Sequence, residues 1–286
     1  MTMSQPIWIF PETDPVWVQT IVKELSIHPV AAQVLAARGF EDLKSIHEFL
    51  YAKLPKLHDP QLFPDMDKAV QRIFDALIKK EKILIYGDND VDGITGTVLL
   101  TEFFRYVGAD VLFYVSNRSS LKQSPIQDAL DYAVKNSCKL LITVDCGVTA
   151  ANEISRALKK NIDVIITDHH EPTAKLPHCI ATLNPKLLNS TYPDRHLTGV
   201  GVAFKLAHAF TNYLSFQEEE DLVTPKIDLK RYLDLVALGT IADMGSLTNE
   251  NRILVRYGLK QLKKNKRIGL ANLFSVCDVK PSEITP

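Results

Sequence analysis

Short apolar runs alternate with helical patterns through the middle of the chain. The runs stand at residues 83–86, 111–115, 140–144 and 164–167, and each is rich in β-forming residues. Strands that alternate with helices indicate βαβ units and a mostly parallel sheet that is buried on both faces. The pattern therefore predicts an α/β fold in which helices flank a mostly parallel sheet. In such sheets, ligands collect at the carboxyl ends of the strands.

The pattern is helical on either side of this region. Before it, apolar residues recur three or four positions apart, at Val30, Val34, Leu35, Ile46, Phe49 and Leu50. After it, helical patterns return at residues 228–242 and 249–264. We therefore expect a small helical segment at residues 1–75, an α/β domain at residues 76–248 and a helical connection at residues 249–286.

Composition narrows the classes of partner. Of the 286 residues, 46% are hydrophobic, and the formal net charge is −1. The chain can therefore bury a sizeable core, but it has no global positive charge to attract a polyanion. A nucleic-acid partner would have to be held by a local basic groove or through metal ions.

Cysteine spacing and hydropathy indicate the compartment. The 4 cysteines show no C-x-x-C spacing, which argues against a zinc site and against a disulfide framework. The sequence contains neither a secretion signal nor an apolar run of about eighteen residues, the length that spans a membrane. We expect a cytoplasmic protein without a membrane partner.

Carboxylates follow the first, third and fourth apolar runs. The residues concerned are Asp88, Asp90, Asp92, Asp145 and Asp168, and the last of these is followed by His169 and His170. Carboxylates gathered at one edge of a sheet repel one another unless a cation neutralises them. The sequence therefore predicts a divalent metal site at this edge.

Two other interpretations of residues 88–93 are open. An isolated D-x-D-x-D-G segment is commonly an acidic turn, and the same spacing also begins the calcium-binding loop of an EF-hand. An EF-hand loop needs a glutamate at its twelfth position, where this chain has Leu99, and a helix before it, where this chain has a strand pattern. The calcium interpretation fails on both points.

The adjacent histidines suggest divided roles. The rings of His169 and His170 should diverge, so that one can coordinate a metal while the other faces a substrate phosphate. Alternatively, Asp168 and Glu171 match the spacing of a helix-capping box. Pro172 argues against a helix at this point and therefore against the alternative.

These segments carry a family resemblance. Residues 86–93, 144–147, 168–170 and 237–243 resemble, in this order, the four motifs of the DHH phosphoesterases. Within that superfamily, residues 37–40, 58–60, 65–69 and 197–205 are similar to landmarks of the RecJ-like single-strand DNA exonucleases. The resemblance covers almost the whole chain. It identifies residues 76–248 as the DHH catalytic domain and residues 249–286 as a connector to a second domain that this chain would lack.

The resemblance implies two Mn²⁺ or Mg²⁺ ions and two-metal hydrolysis of phosphodiester bonds in single-stranded DNA. The implied polarity is 5′ to 3′, and the implied setting is DNA repair and recombination. The implied metal ligands are Asp90 for the first ion, Asp92, His169 and Asp243 for the second, and Asp145 between them, with Asp88 as a possible addition. His170 would contact the scissile phosphate, and Asp168 would orient a histidine.

The chain departs from the RecJ-like pattern in two places that bear on substrate positioning. Asn89 stands where these proteins usually carry an aromatic residue, and residues 244–246 replace an apolar-apolar-Pro run. Arg118 and Lys122 follow the second strand and could line a DNA-binding groove, or they could belong to a solvated surface. Alternative functions are a phosphodiesterase acting on short oligonucleotides or cyclic dinucleotides, and a catalytically weak DNA-binding fragment.

Overall fold

A computed structural model describes residues 11–115, 124–216, 227–264 and 266–285 of the chain. Arg118 and Lys122, the residues expected to bind DNA, lie outside this range. The chain forms two compact units, with the boundary between Lys53 and Leu54. The three-part division at residues 75 and 248 stays a prediction.

The first unit consists of three short helices, α1 (Pro15–Leu25), α2 (Pro29–Ala37) and α3 (Leu43–Leu50). The helical pattern at the start of the chain is therefore confirmed. Ala32 and Leu35 form the buried face of α2, whereas Val30 is 61% exposed and Val34 is 49% exposed within the described residues. Few side chains of this unit are fully buried, so its hydrophobic core is small.

The second unit is built from eight described helices around one sheet. The helices are α4 (Met66–Ile78), α5 (Val91–Tyr106), α6 (Pro125–Lys135), α7 (Ala151–Lys159), α8 (Gly199–Ser215), α9 (Leu233–Ala242), α10 (Asn249–Leu262) and α11 (Ile268–Val276). The strands are β1 (Ile83–Gly87), β2 (Val111–Val115), β3 (Leu140–Val144), β4 (Asp163–Thr167) and β5 (Ala181–Leu183). Short 3₁₀ helices occupy Leu54–Lys56, Pro60–Leu62, Leu229–Tyr232 and Pro281–Glu283.

The sheet is parallel throughout its described strands, in the order β2-β1-β3-β4-β5. Alternate residues of β1 point to opposite faces. Ile83 and Ile85 belong to the core that contains side chains of α4, α5, α8 and α9, while Leu84 and Tyr86 belong to the core that contains side chains of α6 and α7. Both faces are buried, which confirms the predicted α/β fold. The continuous apolar runs of the strands follow from this double burial.

The strand order places the acidic strand ends side by side. From β1 the chain adds β2 on one side and then crosses back to add β3 on the other side, so the order in which strands are added reverses between β1 and β3. A crevice forms at such a switch point, outside the carboxyl ends of the strands. Asp88 follows β1, Asp145 follows β3 and Asp168 follows β4, so these three residues stand along one edge in adjacent positions. Among the described helices, none is long and apolar enough to cross a membrane.

Candidate metal centre

Backbone hydrogen bonds extend the sheet by one residue at each acidic strand end. The amide of Asp88 donates to the carbonyl of Val144, the amide of Asp145 to Thr167, and the amide of Asp168 to Leu183. These bonds hold the start of each acidic side chain against a rigid sheet. The turn after β3 then bends sharply, because Asp145 takes a left-handed conformation with φ of 61°.

His169 lies at the centre of the acidic side chains. Its Nε2 atom is 3.1 Å from Oδ1 of Asp145, 3.8 Å from Oδ2 of Asp243 and 3.9 Å from Oδ2 of Asp92. Two sets of ligand atoms lie within 4.8 Å of one another: Asp92 with His169 and Asp243, and Asp145 with His169 and His170. The first set contains the same three residues that the family resemblance implies for one ion.

The chemistry of these groups fits a divalent cation. Oδ1 of Asp145 and Nε2 of His169 are buried and lie 3.1 Å apart, yet neither atom makes a hydrogen bond to any described residue. Buried polar atoms are nearly always hydrogen-bonded, so two such atoms turned toward one point indicate a place for a cation. A mixture of carboxylate oxygen and imidazole nitrogen suits Mn²⁺, and Mg²⁺ is a weaker match to histidine.

The same crowding alters the acidity of the carboxyl groups. Burial, followed by the charge of Asp145, raises the pKa of Asp92 to about 7. Burial, followed by the charge of Asp90, raises the pKa of Asp145 to about 8. Each carboxylate is therefore costly to ionise in the protein alone, and a bound cation would remove that cost.

Asp168 is the partner of His170. Its Oδ1 atom lies 2.8 Å from Nδ1 of His170 and also accepts the backbone N–H groups of His169 and His170. Its Oδ2 atom accepts the amide of Val148 at 2.9 Å. The hydrogen bond to Asp168 raises the pKa of His170 to about 9. No helix begins at Asp168 in the described chain, which excludes the helix-cap alternative.

The two histidine rings differ in exposure and direction. The side chain of His169 is 13% exposed, whereas that of His170 is 55% exposed. Their ring planes are inclined at 56° to each other. One ring therefore faces the buried carboxylates while the other reaches the surface.

Asp90 and Asp88 lie at the same edge but outside both ligand sets. Oδ1 of Asp90 accepts the amide of Gly93 at 2.9 Å and so caps α5. Its charge nevertheless acts on Asp145, as the pKa of that carboxyl group shows. The carboxylate of Asp88 belongs to neither set. Metal coordination by Asp90 and Asp88 stays a prediction.

Sequence reasoning missed the backbone groups that hold Asp92. Asp92 is 1% exposed, and its two carboxylate oxygens accept the amides of Gly199 and Val200 at 2.6 and 2.9 Å. Backbone amides carry no side-chain signature. The sequence feature that could have indicated these amides is Thr198 followed by Gly199 before an apolar helical pattern, which is typical of the beginning of a helix.

Comparison with known proteins supports the assignment of the fold. The family described as DHH family, N-terminal domain, matches residues 82–240. The single-stranded-DNA-specific exonuclease RecJ of Bacillus subtilis (strain 168) is 37% identical over 96% of this chain and 33% of its own length. The enzyme of the same name from Escherichia coli (strain K12) is 33% identical over 87% of this chain and 43% of its own length.

Solved structures also match this chain. RecJ from Thermus thermophilus in complex with Mn²⁺ matches with a TM-score of 0.75 and 29% identity, over 94% of this chain and 37% of that one. An exonuclease RecJ bound to manganese matches with a TM-score of 0.64 and 31% identity, over 75% of this chain and 52% of that one. The chain thus spans between a third and a half of the length of the curated relatives named above. Because the family match covers more than half of the chain, including Asp92, Asp145 and His169, the protein belongs to the DHH family.

Proposed function

We propose that this chain hydrolyses phosphodiester bonds in single-stranded DNA with the help of two divalent metal ions, Mn²⁺ or Mg²⁺. The observation that carries the proposal is the convergence of Asp92, Asp145 and Asp243 on His169. Oδ1 of Asp145 and Nε2 of His169 are buried there and have no hydrogen-bond partner within the described part of the chain. The names of the similar proteins, single-stranded-DNA-specific exonucleases, give the substrate class.

The acidic side chains and His169 would hold the ions. Asp92, His169 and Asp243 would hold one ion, Asp145 would serve both ions, and Asp90 with Asp88 would add ligands to the other ion. When bound, the ions lower the pKa of water and neutralise charge on the phosphate. The sheet supplies rigidity, because Asp145 is anchored by its amide to β4.

His170 would bind the phosphate. Its Nδ1 atom is engaged by Asp168, so Nε2 is the nitrogen left to face a substrate. Asp168 raises the pKa of His170 to about 9 in the metal-free protein, so the imidazole carries a positive charge at neutral pH before a metal binds. A half-exposed cation beside the metal centre would attract an anionic phosphate and donate a hydrogen bond to it. Asp168 acts through His170, as a positioning residue.

The remaining features of the proposal follow from the family. We infer 5′ to 3′ polarity, a role in DNA repair and recombination, and a catalytic domain at residues 76–248 with a helical segment on either side. Arg118 and Lys122 would contact the strand. A reducing, cytoplasmic location is consistent with the free thiols of Cys138, Cys146, Cys179 and Cys277.

A nuclease assay with end-labelled DNA tests the proposal. Single strands labelled at the 5′ or the 3′ end, a blunt duplex and a dinucleotide are each incubated with the protein and Mn²⁺. We expect release of mononucleotides from long single strands, earliest from the 5′ label, and no release after removal of the metal with a chelator. An Asp145→Asn variant is the control for contaminating nuclease. Turnover of the dinucleotide alone would contradict the proposed substrate.

A further inference from the structure

Helix α8 begins without a capping side chain from its own neighbourhood. The N-cap residue is Thr198, which makes no capping hydrogen bond, and its hydroxyl lies 3.1 Å from the hydroxyl of Thr240 instead. The first amides of a helix have no partner inside the helix and need one elsewhere. Asp92, on α5, supplies it by accepting the amides of Gly199 and Val200. One of the metal-binding carboxylates is therefore also the cap of α8.

This cap determines how the carboxylate of Asp92 is oriented. Each oxygen accepts one amide, so rotation about the last bond of the side chain would break a hydrogen bond that water cannot replace at a residue 1% exposed. The Oδ2 atom that accepts the amide of Gly199 is also the one 3.9 Å from Nε2 of His169. The partial positive charge at a helix N-terminus further favours a carboxylate in this position.

Glycines allow the backbone to approach both buried carboxylates. A Cβ atom at Gly199 would stand 2.5 Å from Oδ1 of Asp145, and a Cβ atom at Gly239 would stand 2.9 Å from Oδ1 of Asp92. A side chain at Gly199 would push α8 away from the metal centre, and one at Gly239 would push α9 away. The beginning of α8 is thus packed against Asp145 as well as bonded to Asp92.

We propose that the N-terminus of α8 is the positioning element of the metal centre, and that the amides of Gly199 and Val200 set its metal affinity. The inference rests on the proposed function, because it concerns the same ions. Groups that orient metal ligands typically change metal affinity by about 10- to 100-fold when they are removed. Displacing α8 should therefore weaken metal binding even where the fold is kept.

Two variants of the full chain test this. Gly199→Ala adds the Cβ atom that would collide with Asp145, and Val200→Pro removes the amide that Asp92 accepts. Proline is tolerated in the first turn of a helix, where its missing N–H is not needed by the helix itself. Isothermal titration with Mn²⁺, after circular dichroism has shown that each variant is folded, should give affinities weaker by about tenfold or more.

Gly201→Ala is the matched control. It makes the same chemical change two residues further along α8. The nearest neighbours of the new Cβ atom would be Cδ2 of Leu197 at 3.1 Å and, in ordinary contact, Oγ1 of Thr198 at 3.6 Å, and neither belongs to a proposed metal ligand. We expect Mn²⁺ affinity within about twofold of the unmodified chain, since nothing in the ligand shell moves. Unchanged affinity in folded Gly199→Ala and Val200→Pro proteins, even with lower melting temperatures, would show a merely structural role and overturn the inference.

Hydrogen exchange on the unmodified chain provides a test that does not depend on folding of a variant. If Asp92 is shared between α8 and the ion, binding of Mn²⁺ should slow exchange of the amides of Gly199 and Val200 relative to the middle of α8. Equal exchange with and without saturating Mn²⁺ would overturn the inference. Absence of Mn²⁺ binding to the unmodified chain would instead refute the proposed function, so the two failures are distinguishable.

Discussion

Oδ1 of Asp168 lies 2.8 Å from Nδ1 of His170, and this contact joins a buried carboxylate to a half-exposed imidazole. Asp168 is 1% exposed and is held by amide donors, so it fixes the position of the ring. The hydrogen bond is the largest cause of the raised pKa of His170. The charge of His170 in the metal-free protein at neutral pH therefore depends chiefly on Asp168, with smaller contributions from Asp145 and Asp243.

Asp168→Asn should lower the pKa of His170 from about 9 toward its ordinary value of 6.5. The asparagine keeps the shape of the side chain but cannot stabilise a protonated imidazole by charge. Titration of the His170 ring by NMR in the metal-free protein measures the change, with His170→Asn used to assign the signal. A pKa that stays near 9 would contradict the role given to Asp168.

The same substitution should change the pH dependence of substrate binding. In the metal-free, unmodified chain His170 keeps its proton until the pH rises through about 9. With Mn²⁺ held at saturation at every pH, KM for an oligonucleotide should therefore rise less between pH 6.5 and 8 in the unmodified chain than in the variant. In Asp168→Asn, KM should rise across this range as the imidazole loses its charge. A parallel rise in both proteins would show that His170 does not hold the phosphate.

Asp145→Asn should stabilise the metal-free protein at high pH while removing metal binding. The pKa values of Asp92 and Asp145 in the folded protein lie above the ordinary value of 3.8, so the folded state binds more protons than the unfolded state between about pH 4 and pH 8. The stability of the metal-free protein therefore falls as the pH rises through this window. Asparagine removes one of the two charges that cause the loss.

Thermal unfolding without metal provides the measurement. We expect a higher melting temperature for Asp145→Asn than for the unmodified chain at pH 8, a similar one at pH 5, and no increase on addition of Mn²⁺. Asparagine is preferred to alanine because Asp145 has a φ of 61°, a left-handed conformation that costs most residues about 1–2 kcal/mol and that asparagine tolerates. A lower melting temperature at pH 8 would contradict the charge argument.

His169→Ala and His170→Ala should separate metal binding from phosphate binding. His169 belongs to both ligand sets and is mostly buried, whereas His170 belongs to one set and its Nδ1 atom is occupied by Asp168. We expect Mn²⁺ affinity to fall by at least about tenfold in His169→Ala and to stay within about threefold in His170→Ala, whose turnover falls instead. Calorimetric titration of both variants with Mn²⁺ measures the two affinities. An equal loss of affinity would refute the division between metal binding by His169 and phosphate binding by His170.

The sheet and its acidic edge could be predicted from the sequence because both depend on local patterns. β1 to β4 are continuous apolar runs, a consequence of burial on two faces, and Asp145 and Asp168 follow such runs directly. The strand β5 could not be predicted, since Ala181–Leu183 is too short to form a recognisable run. Because β3 lies between β1 and β4, Asp145 stands between the other two acidic strand ends.

The partners that complete the site could not be predicted, because they come from distant segments or from the backbone. Asp243 follows α9 and reaches His169 only through the packing of helices, so the sequence pointed to it through the family motif alone. The choice of His170 as the partner of Asp168 depends on a turn whose geometry has no periodic signal. The cap of α8 by Asp92 joins positions 107 residues apart.

A buried ion pair between α8 and α10 provides the last prediction. Lys205 and Glu250 are both 0% exposed, and Nζ of Lys205 lies 3.0 Å from Oε1 of Glu250. Glu250 also accepts the amide of His58 at 2.8 Å and the hydroxyl of Tyr192. Removing one partner leaves an uncompensated buried charge, so Lys205→Met should lower the free energy of unfolding by about 3–5 kcal/mol.

The double variant Lys205→Met with Glu250→Gln separates the lost pair from lost packing. Methionine has nearly the volume of lysine. Glutamine carries no charge; its oxygen can still accept the amide of His58, and its NH2 group can donate to the hydroxyl of Tyr192. Urea unfolding should therefore show the double variant to be more stable than Lys205→Met alone, because no unpaired charge remains buried. If the two losses simply add, the pair contributes no coupling and the buried carboxylate must be neutralised by other groups. Lys205 lies on α8, whose first turn holds Asp92. Mn²⁺ affinity should therefore fall in Lys205→Met and recover in the double variant.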